Sequence, residues 1–380
     1  MKLGFLTTDN RQNFQKFSLP APYFGTAPEA LLQGFAGLPE LEVHVVSCTQ
    51  KPMKSPKQLA DNTWFHSVFV PKAGWLRTSY QGCIRSVRRR LKVIKPDIVH
   101  GQGTERDCAI SAVFSKFPNV ITVHGNMRLI AEVNQAKPLT YWWLAAQLEK
   151  IILPRSRGVV CITRYTQDAV KDVARKTWIV PNAVDLSFFD LNAARDDSGT
   201  ILCVGFVGKR KNQNAFIRAL DPLAATKKFR VLFLGEAPKE DPYVAEFFEL
   251  LATRPWCTHG GFADRTALKD HLKTATMLAL PSIEDNCPMV VLEAMAAGLP
   301  VLAANVGGLP DLVEDGRNGV FCNPLEPESM ARGVARLLEN QQEADALAKT
   351  AKELARERFH PLAIARRHVE IYREVLSTPA

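Results

Sequence analysis

The sequence predicts an α/β protein built of two Rossmann-like domains, each a doubly wound parallel sheet. Three observations lead there. Short β-rich runs alternate with stretches of helical spacing from end to end, a pattern that covers a parallel sheet with helices on both faces. The chain has 380 residues, too many for one compact core and suited to two domains of roughly 200 residues or fewer. A polar stretch, Asn192 to Thr200, also separates one strand-like run from the next near mid-chain.

In the first half the strand candidates are KLGFLT, LEVHVVS, TWFHSVFV, DIVHG, NVITVHG, GVVCIT and TWIVPN; in the second they are TILCVG, RVLFLG, TMLALPS, PVLAAN and NGVFCN. Each is short and dominated by apolar, mostly β-branched or aromatic residues, as buried strands are. Helical spacing connects them, for example Ile84, Val87, Leu91 and Ile94, or Met330, Val334, Leu337 and Leu338. The first domain is expected over 1–186, a linker over 187–198 and the second domain over 199–355. A cleft is expected between the carboxyl ends of the two sets of strands, where open α/β sheets bind ligands.

The net charge of +9 calls for an anionic partner: a nucleotide, a phosphorylated sugar, a nucleic acid or an anionic membrane surface. The plain alternative is a solvated basic face. The eight cysteines are scattered without a CxxC pair, so neither a disulfide framework nor a zinc site is indicated. The run MKLGFLTTDN lacks a signal peptide's long apolar region, and no segment approaches 18 apolar residues in a row. A cytoplasmic protein is expected.

The densest chemistry lies in PSIEDNCPMVVLEAMAAGLPV, from Pro281 to Val301. A strand runs into the loop EDNC, Pro288 is placed to open a helix, and Gly298 and Pro300 stop it. The free amides at that helix start favour a phosphate. Glu293 sits about 7–8 Å along the axis on a helix with hardly any polar face, so it suits the hydroxyls of a ribose better than solvent. Asp285 can reach a sugar beyond the phosphates, and Glu284 reads as solvated.

A second cluster, ILCVGFVGKRKNQNAFIRAL, brings Gly205 and Gly208 to a strand–helix junction with Lys209, Arg210 and Lys211. It is neither a Walker A loop nor GxGxxG, but its cations suit a diphosphate. In the first half, His100 and His124 close strands and should point toward the cleft, although a strand-end histidine is commonly structural. Gly25, in APYFGTAPEALL, could set a backbone amide against a ligand. The helix CIRSVRRRLKVIKP, about 84–95, has an apolar stripe backed by Arg85, Arg88, Arg89 and Lys92. It is either an ordinary surface helix or a contact with an anionic membrane. Trp75, Leu76 and Tyr80 would add to such a contact, while Tyr141–Trp143 reads as core.

Taken together, these residues resemble the retaining glycosyltransferases of the two-domain GT-B fold, the fourth family of the sequence-based classification. The match is strongest from Thr200 to Pro324. Asp285 and Glu293, with seven residues between them, resemble the family's acid pair, and EAMAAGLPV its signature phrase. NVGGLPDLVEDGRNGVFCNP resembles the next block, PNAVD the interdomain PNGVD, DIVHGQG and ITVHGN the acceptor-side strand ends, and RFHPLAIARRHVEIYREVL the closing helix.

The resemblance implies that Glu293 binds the donor's ribose. Asp285 and the backbone of Asn286, Cys287, Pro288, Met289 and Val290 would hold the transferred sugar. Lys211 with Arg210 would neutralise the diphosphate, Gly25, Gly205 and Lys209 would line the donor, and His124 would stand beside the reacting carbon. It also implies that helix 356–380 crosses back to the first domain. Three departures stand out: Asp285 replaces the usual Glu, Phe206 a frequent arginine and Pro288 a frequent glycine.

The activity implied is transfer of a hexose or N-acetylhexosamine, with retention, from a nucleotide diphosphate sugar to a glycan or lipid-linked acceptor in bacterial surface polysaccharide or lipopolysaccharide assembly. No metal, cofactor or nucleic-acid partner is expected. Three rivals differ in kind. A glycosidase would use Asp285 and Glu293 as acid and base, but the basic cluster has no place in it. A sugar-nucleotide epimerase would need no acceptor, and a donor-binding partner subunit would not turn over.

Overall fold

The structure, a computed structural model, describes residues 1–191, 193 and 199–378. It divides into two compact units, Met1–Ala183 with Pro361–Ala380, and Val184–His360. Part of the expected linker, residues 192 and 194–198, lies outside the described residues. Its beginning belongs to a short helix, Leu186–Phe189.

The first unit has strands β1 (Lys2–Leu6), β2 (Glu42–Thr49), β3 (Gln58–Ala60), β4 (Thr63–Phe69), β5 (Ile98–Gln102), β6 (Asn119–Val123), β7 (Val159–Cys161) and β8 (Thr177–Ile179). They form one sheet in the order β3-β4-β2-β1-β5-β6-β7-β8. Only β3 is antiparallel to its neighbour. Period-two alternation feeds two cores. Leu3, Phe5, Val43, Val45 and Val120 face one side with Phe35 and Tyr372; Leu6, Val46, Ile121 and Val123 face the other with Ile84 and Leu91.

The second unit has β9 (Thr200–Val204), β10 (Arg230–Leu234), β11 (Cys257–Gly261), β12 (Met277–Leu280), β13 (Val301–Ala304) and β14 (Val320–Cys322). Their order is β11-β10-β9-β12-β13-β14, parallel throughout. β3 and β11 were not among the expected strands. β3 is a three-residue edge strand, and β11 reads CTHGG, whose glycines hide its strand character.

Three local expectations need correction. Trp75 and Tyr80 are buried, and the Trp75 indole donates to the Val70 carbonyl at 3.0 Å, so neither ring is available to a membrane. Tyr141 and Trp142, read as core, are exposed at the start of the Tyr141–Ile152 helix, with Trp142 40% accessible. His100 is fully buried, because on β5 it faces the helix Pro361–Ser377 and not the strand end. Its Nδ1 lies 2.6 Å from the Tyr372 hydroxyl. The basic helix, Gln81–Ile94, buries Ile84, Val87, Leu91 and Ile94 and exposes Arg85, Arg89, Arg90 and Lys92. Among the described residues no helix is long and apolar enough to cross a membrane.

The Pro361–Ser377 helix packs on Thr26–Ala36. Gly34 allows the approach: a Cβ there would stand 2.1 Å from the Pro361 carbonyl oxygen and 2.9 Å from Ala365 Cβ. At Gly37 the nearest atoms are 3.4 Å away. Gly34→Ala should therefore destabilise the protein by about 1–3 kcal/mol, as overpacking against rigid backbone does. Gly37→Ala should cost much less. Urea unfolding of both variants checks this, and equal stabilities would refute the packing argument.

Candidate active site

In the second sheet the winding reverses at β9, which has β10 on one side and β12 on the other. The loops that leave β9 and β12 therefore run side by side, the usual ligand position in open α/β sheets. The loop after β9 carries Gly205 to Lys211 and the loop after β12 carries Ser282 to Pro288. A backbone bond from Ile283 N–H to the Arg210 carbonyl, 2.8 Å, joins them.

This juxtaposition brings together residues that are 74 positions apart. Lys211 Nζ lies 2.5 Å from Asp285 Oδ2, and Arg210 lies 3.4 Å from Asp285 Oδ1. Ser282 Oγ donates to Asp285 Oδ2 at 3.1 Å, and Gly308 N–H donates to the Asp285 carbonyl at 2.9 Å. Asp285 is thus buried and held at both ends. Arg210 also donates to the Glu284 carbonyl at 3.0 Å and pairs with its carboxylate at 3.4 Å. Glu284 is therefore a partly exposed prop for Arg210.

Lys211 ends a single 3-10 turn, Lys209–Lys211, and its stem lies along Gly205. A Cβ at Gly205 would meet Lys211 Cε at 3.2 Å, and its φ of +151° suits only glycine. Lys209 is exposed. Phe206 presents a 49% exposed ring, while Gln213 fastens its turn by donating to the Phe206 carbonyl and accepting from Gly208 N–H.

The helix after the second loop is Met289–Ala297. Pro288 is its N-cap and not, as expected, its first residue, and no side chain caps the end. Val291 N–H turns back to the Pro288 carbonyl at 3.1 Å, and the amides at such a helix start have no i−4 carbonyl to bond. Asn286 and Met289 are half-buried; Cys287, Pro288 and Val290 are buried. Glu293 is only 4% exposed. Burial pushes its carboxyl up to about 7, against the pull of Arg265 and with a push from Asp185.

Sequence reading missed that pair. Arg265, at the start of the Arg265–Thr274 helix, donates to Asp185 Oδ2 at 2.9 Å. Asp185, from the PNAVD segment, caps Ser187 N–H at 2.9 Å. Asp264 signals a helix start there, but no spacing connects Arg265 to Glu293.

The first unit carries the remaining candidates. His124 follows β6, half-buried, with Nε2 2.9 Å from Gln102 Oε1 and a side-chain hydrogen bond to Asn182. Burial, reinforced by His368, lowers it to about 4, so the imidazole is neutral at pH 7. The Gln102 amide nitrogen in turn lies 2.9 Å from His100 Nε2, which fixes the amide that orients His124. Gly25 is the N-cap of Thr26–Ala36 in extended backbone, and a Cβ there would find ordinary contacts. Nothing in its geometry demands glycine.

Family comparison agrees with this architecture. Residues 187–354 match the model of glycosyl transferases group 1, and residues 31–188 that of glycosyltransferase family 4. An uncharacterized glycosyltransferase of Methanocaldococcus jannaschii is 28% identical over 211 residues, 52% of this chain and 54% of that relative. The chain thus spans about half the length of that relative. In three dimensions it is similar to sucrose-phosphate synthase from Thermosynechococcus elongatus, with a TM-score of 0.78, 17% identity and 99% of both chains covered. It is also similar to Anabaena HepE in complex with UDP-glucose, with a TM-score of 0.71, 17% identity, and 98% and 100% covered. Two parallel-sheet α/β units, both family models and these folds together place the chain in the GT-B glycosyltransferases of group 1, family 4.

Proposed function

We propose that the chain moves a hexosyl or N-acetylhexosaminyl group from a nucleoside diphosphate sugar to a hydroxyl of a glycan or lipid-linked acceptor, with retention at the anomeric carbon. The observation that carries this reading is the junction of Lys211, Arg210 and Asp285 beside an uncapped helix start, with Glu293 buried on the same helix. Glu293 accepts from the ribose hydroxyls. The helix amides with Lys211 and Arg210 receive the diphosphate, and Asp285 holds Lys211 in place while its remaining lone pairs meet the sugar.

As the bond from the anomeric carbon to the β-phosphate oxygen breaks, its electron pair goes to that oxygen, where the cations and the helix dipole stabilise it. The acceptor oxygen bonds to the same face of the carbon, and its proton passes to the departing phosphate. His124, neutral, serves this step as a hydrogen-bonding group and not as a cation. The relatives' substrates differ, so the sugar and acceptor are best named by a thermal-shift panel of nucleotide sugars. Assembly of bacterial surface polysaccharide or lipopolysaccharide is the setting we propose, with Arg85, Arg89, Arg90 and Lys92 resting on an anionic membrane.

Four outcomes are expected. Lys211→Ala should lower kcat by about 100- to 1,000-fold, the scale for loss of one preorganised charge-stabilising group. NMR of the wild-type product should show the donor's anomer, and an inverted product would refute the mechanism.

Nucleotide affinity should depend on pH through Glu293. The ionised carboxylate binds ribose, so affinity is full above about 7 and falls toward tenfold per pH unit below it. Calorimetry of wild type and Glu293→Gln across that range separates this from the nucleotide's own titration. An identical pH profile in both proteins would remove Glu293 from the ribose site.

Vesicles containing phosphatidylglycerol should carry the protein in flotation, while phosphatidylcholine vesicles should not. Arg85→Glu with Arg89→Glu should abolish the binding. Equal binding to both lipids would exclude the electrostatic contact.

A further inference from the structure

The first unit holds a second cluster of chemically active groups that the transfer reaction does not use. Cys48 lies near the end of β2, Cys83 in the first turn of Gln81–Ile94 and Asp107 at the start of the Asp107–Val113 helix. Both sulfurs and a carboxylate oxygen lie within 4.8 Å of one another. All three residues are buried, with Asp107 only 5% exposed. Their positions, 35 and 24 residues apart, follow no metal-binding spacing, and only the fold assembles them.

A carboxylate buried so deeply usually has a cation or several donors. Among the described residues no Lys, Arg or His forms an ion pair with Asp107. Its partners are the Cys48 thiol and its own backbone amide, and it also feels the charge of adjacent Arg106. Burial raises the carboxyl, and neighbouring Cys83, burial and Asp107 all raise the Cys48 thiol. A bound dication would favour the two thiolates and the carboxylate together.

The geometry fits. Tetrahedral zinc with Zn–S of about 2.3 Å and Zn–O of about 2.0–2.2 Å sets its ligands roughly 3.5–3.8 Å apart. From a spacing of at most 4.8 Å, the cluster needs to contract by no more than about 1.3 Å to reach this. Two thiolates favour zinc over magnesium, calcium or manganese. A water can take the fourth position.

We infer that Cys48, Cys83 and Asp107 form a structural zinc site that ties β2 to two helices and takes no part in sugar transfer. On binding, the thiol protons leave to solvent and no electrons move. Protein grown with zinc and purified without chelator should carry about one equivalent by mass spectrometry, the content of one such site. Cys48→Ser with Cys83→Ser should lose it, and Cys161→Ser should keep it.

Wild-type protein refolded with cobalt(II) should show thiolate-to-cobalt absorption in the near ultraviolet, a readout that needs no variant. Wild-type protein without zinc and without that absorption would overturn the proposal. So would zinc retained in the double variant, or two fewer titratable thiols than the eight present in metal-free denatured protein, the mark of a disulfide.

Discussion

A parallel sheet wound in both directions from one strand cannot cover the reversal with a helix, and the unit Val184–His360 is organised around that gap. At β9 the two loops on either side of the reversal run together because the sheet order forces them to. The Lys211–Asp285 ion pair closes the gap. Gly205 is held at a φ of +151° that only glycine suits, with the Lys211 stem lying along it. Arg210 spans the same loops and recruits Glu284 as a prop. The helix start that follows is free of side-chain caps, so the site's electrostatics follow from topology as much as from residue type.

Much of this was legible from the sequence, for a definite reason. Buried parallel strands are continuous apolar runs, and twelve of them were visible as such. The seven-residue spacing of Asp285 and Glu293 was read through the family resemblance, and both residues lie within one loop–helix segment, so that reading needed no long-range contact. What escaped was either weakly patterned or non-local. CTHGG has too few β-branched residues to read as β11. Arg265 meets Asp185 only through the tertiary fold, 80 positions away. His100 and His124 sit in the same Val-His-Gly run, yet one lies mid-strand under Tyr372 and the other follows its strand into a loop. Tyr141 and Trp142 look like core by composition, but their helix turns them outward.

The two units place titratable groups in contrasting surroundings. In the first, burial drives His100, His124 and His368 down together, and each also feels a neighbouring histidine or arginine. None carries charge at neutral pH. In the second, Glu293 is raised into the range where it exchanges protons at neutral pH. In that unit Lys211 and Arg210 bring positive charge to Asp285, and negative charge on Glu293 is conditional.

The connectivity also bears on how the protein is made. The first unit is completed by Pro361–Ser377, whose Tyr372 and Ile371 belong to the core formed by Leu3 and Phe5. Those residues leave the ribosome only after all of Val184–His360 has been synthesised. The second unit is one uninterrupted stretch and can close as it emerges. The usual vectorial order, in which the N-terminal domain folds first, is therefore inverted. The half that is translated first must wait for its last helix with only part of that sheet face covered, by Thr26–Ala36, and it is over that interval that a chaperone would have most to protect.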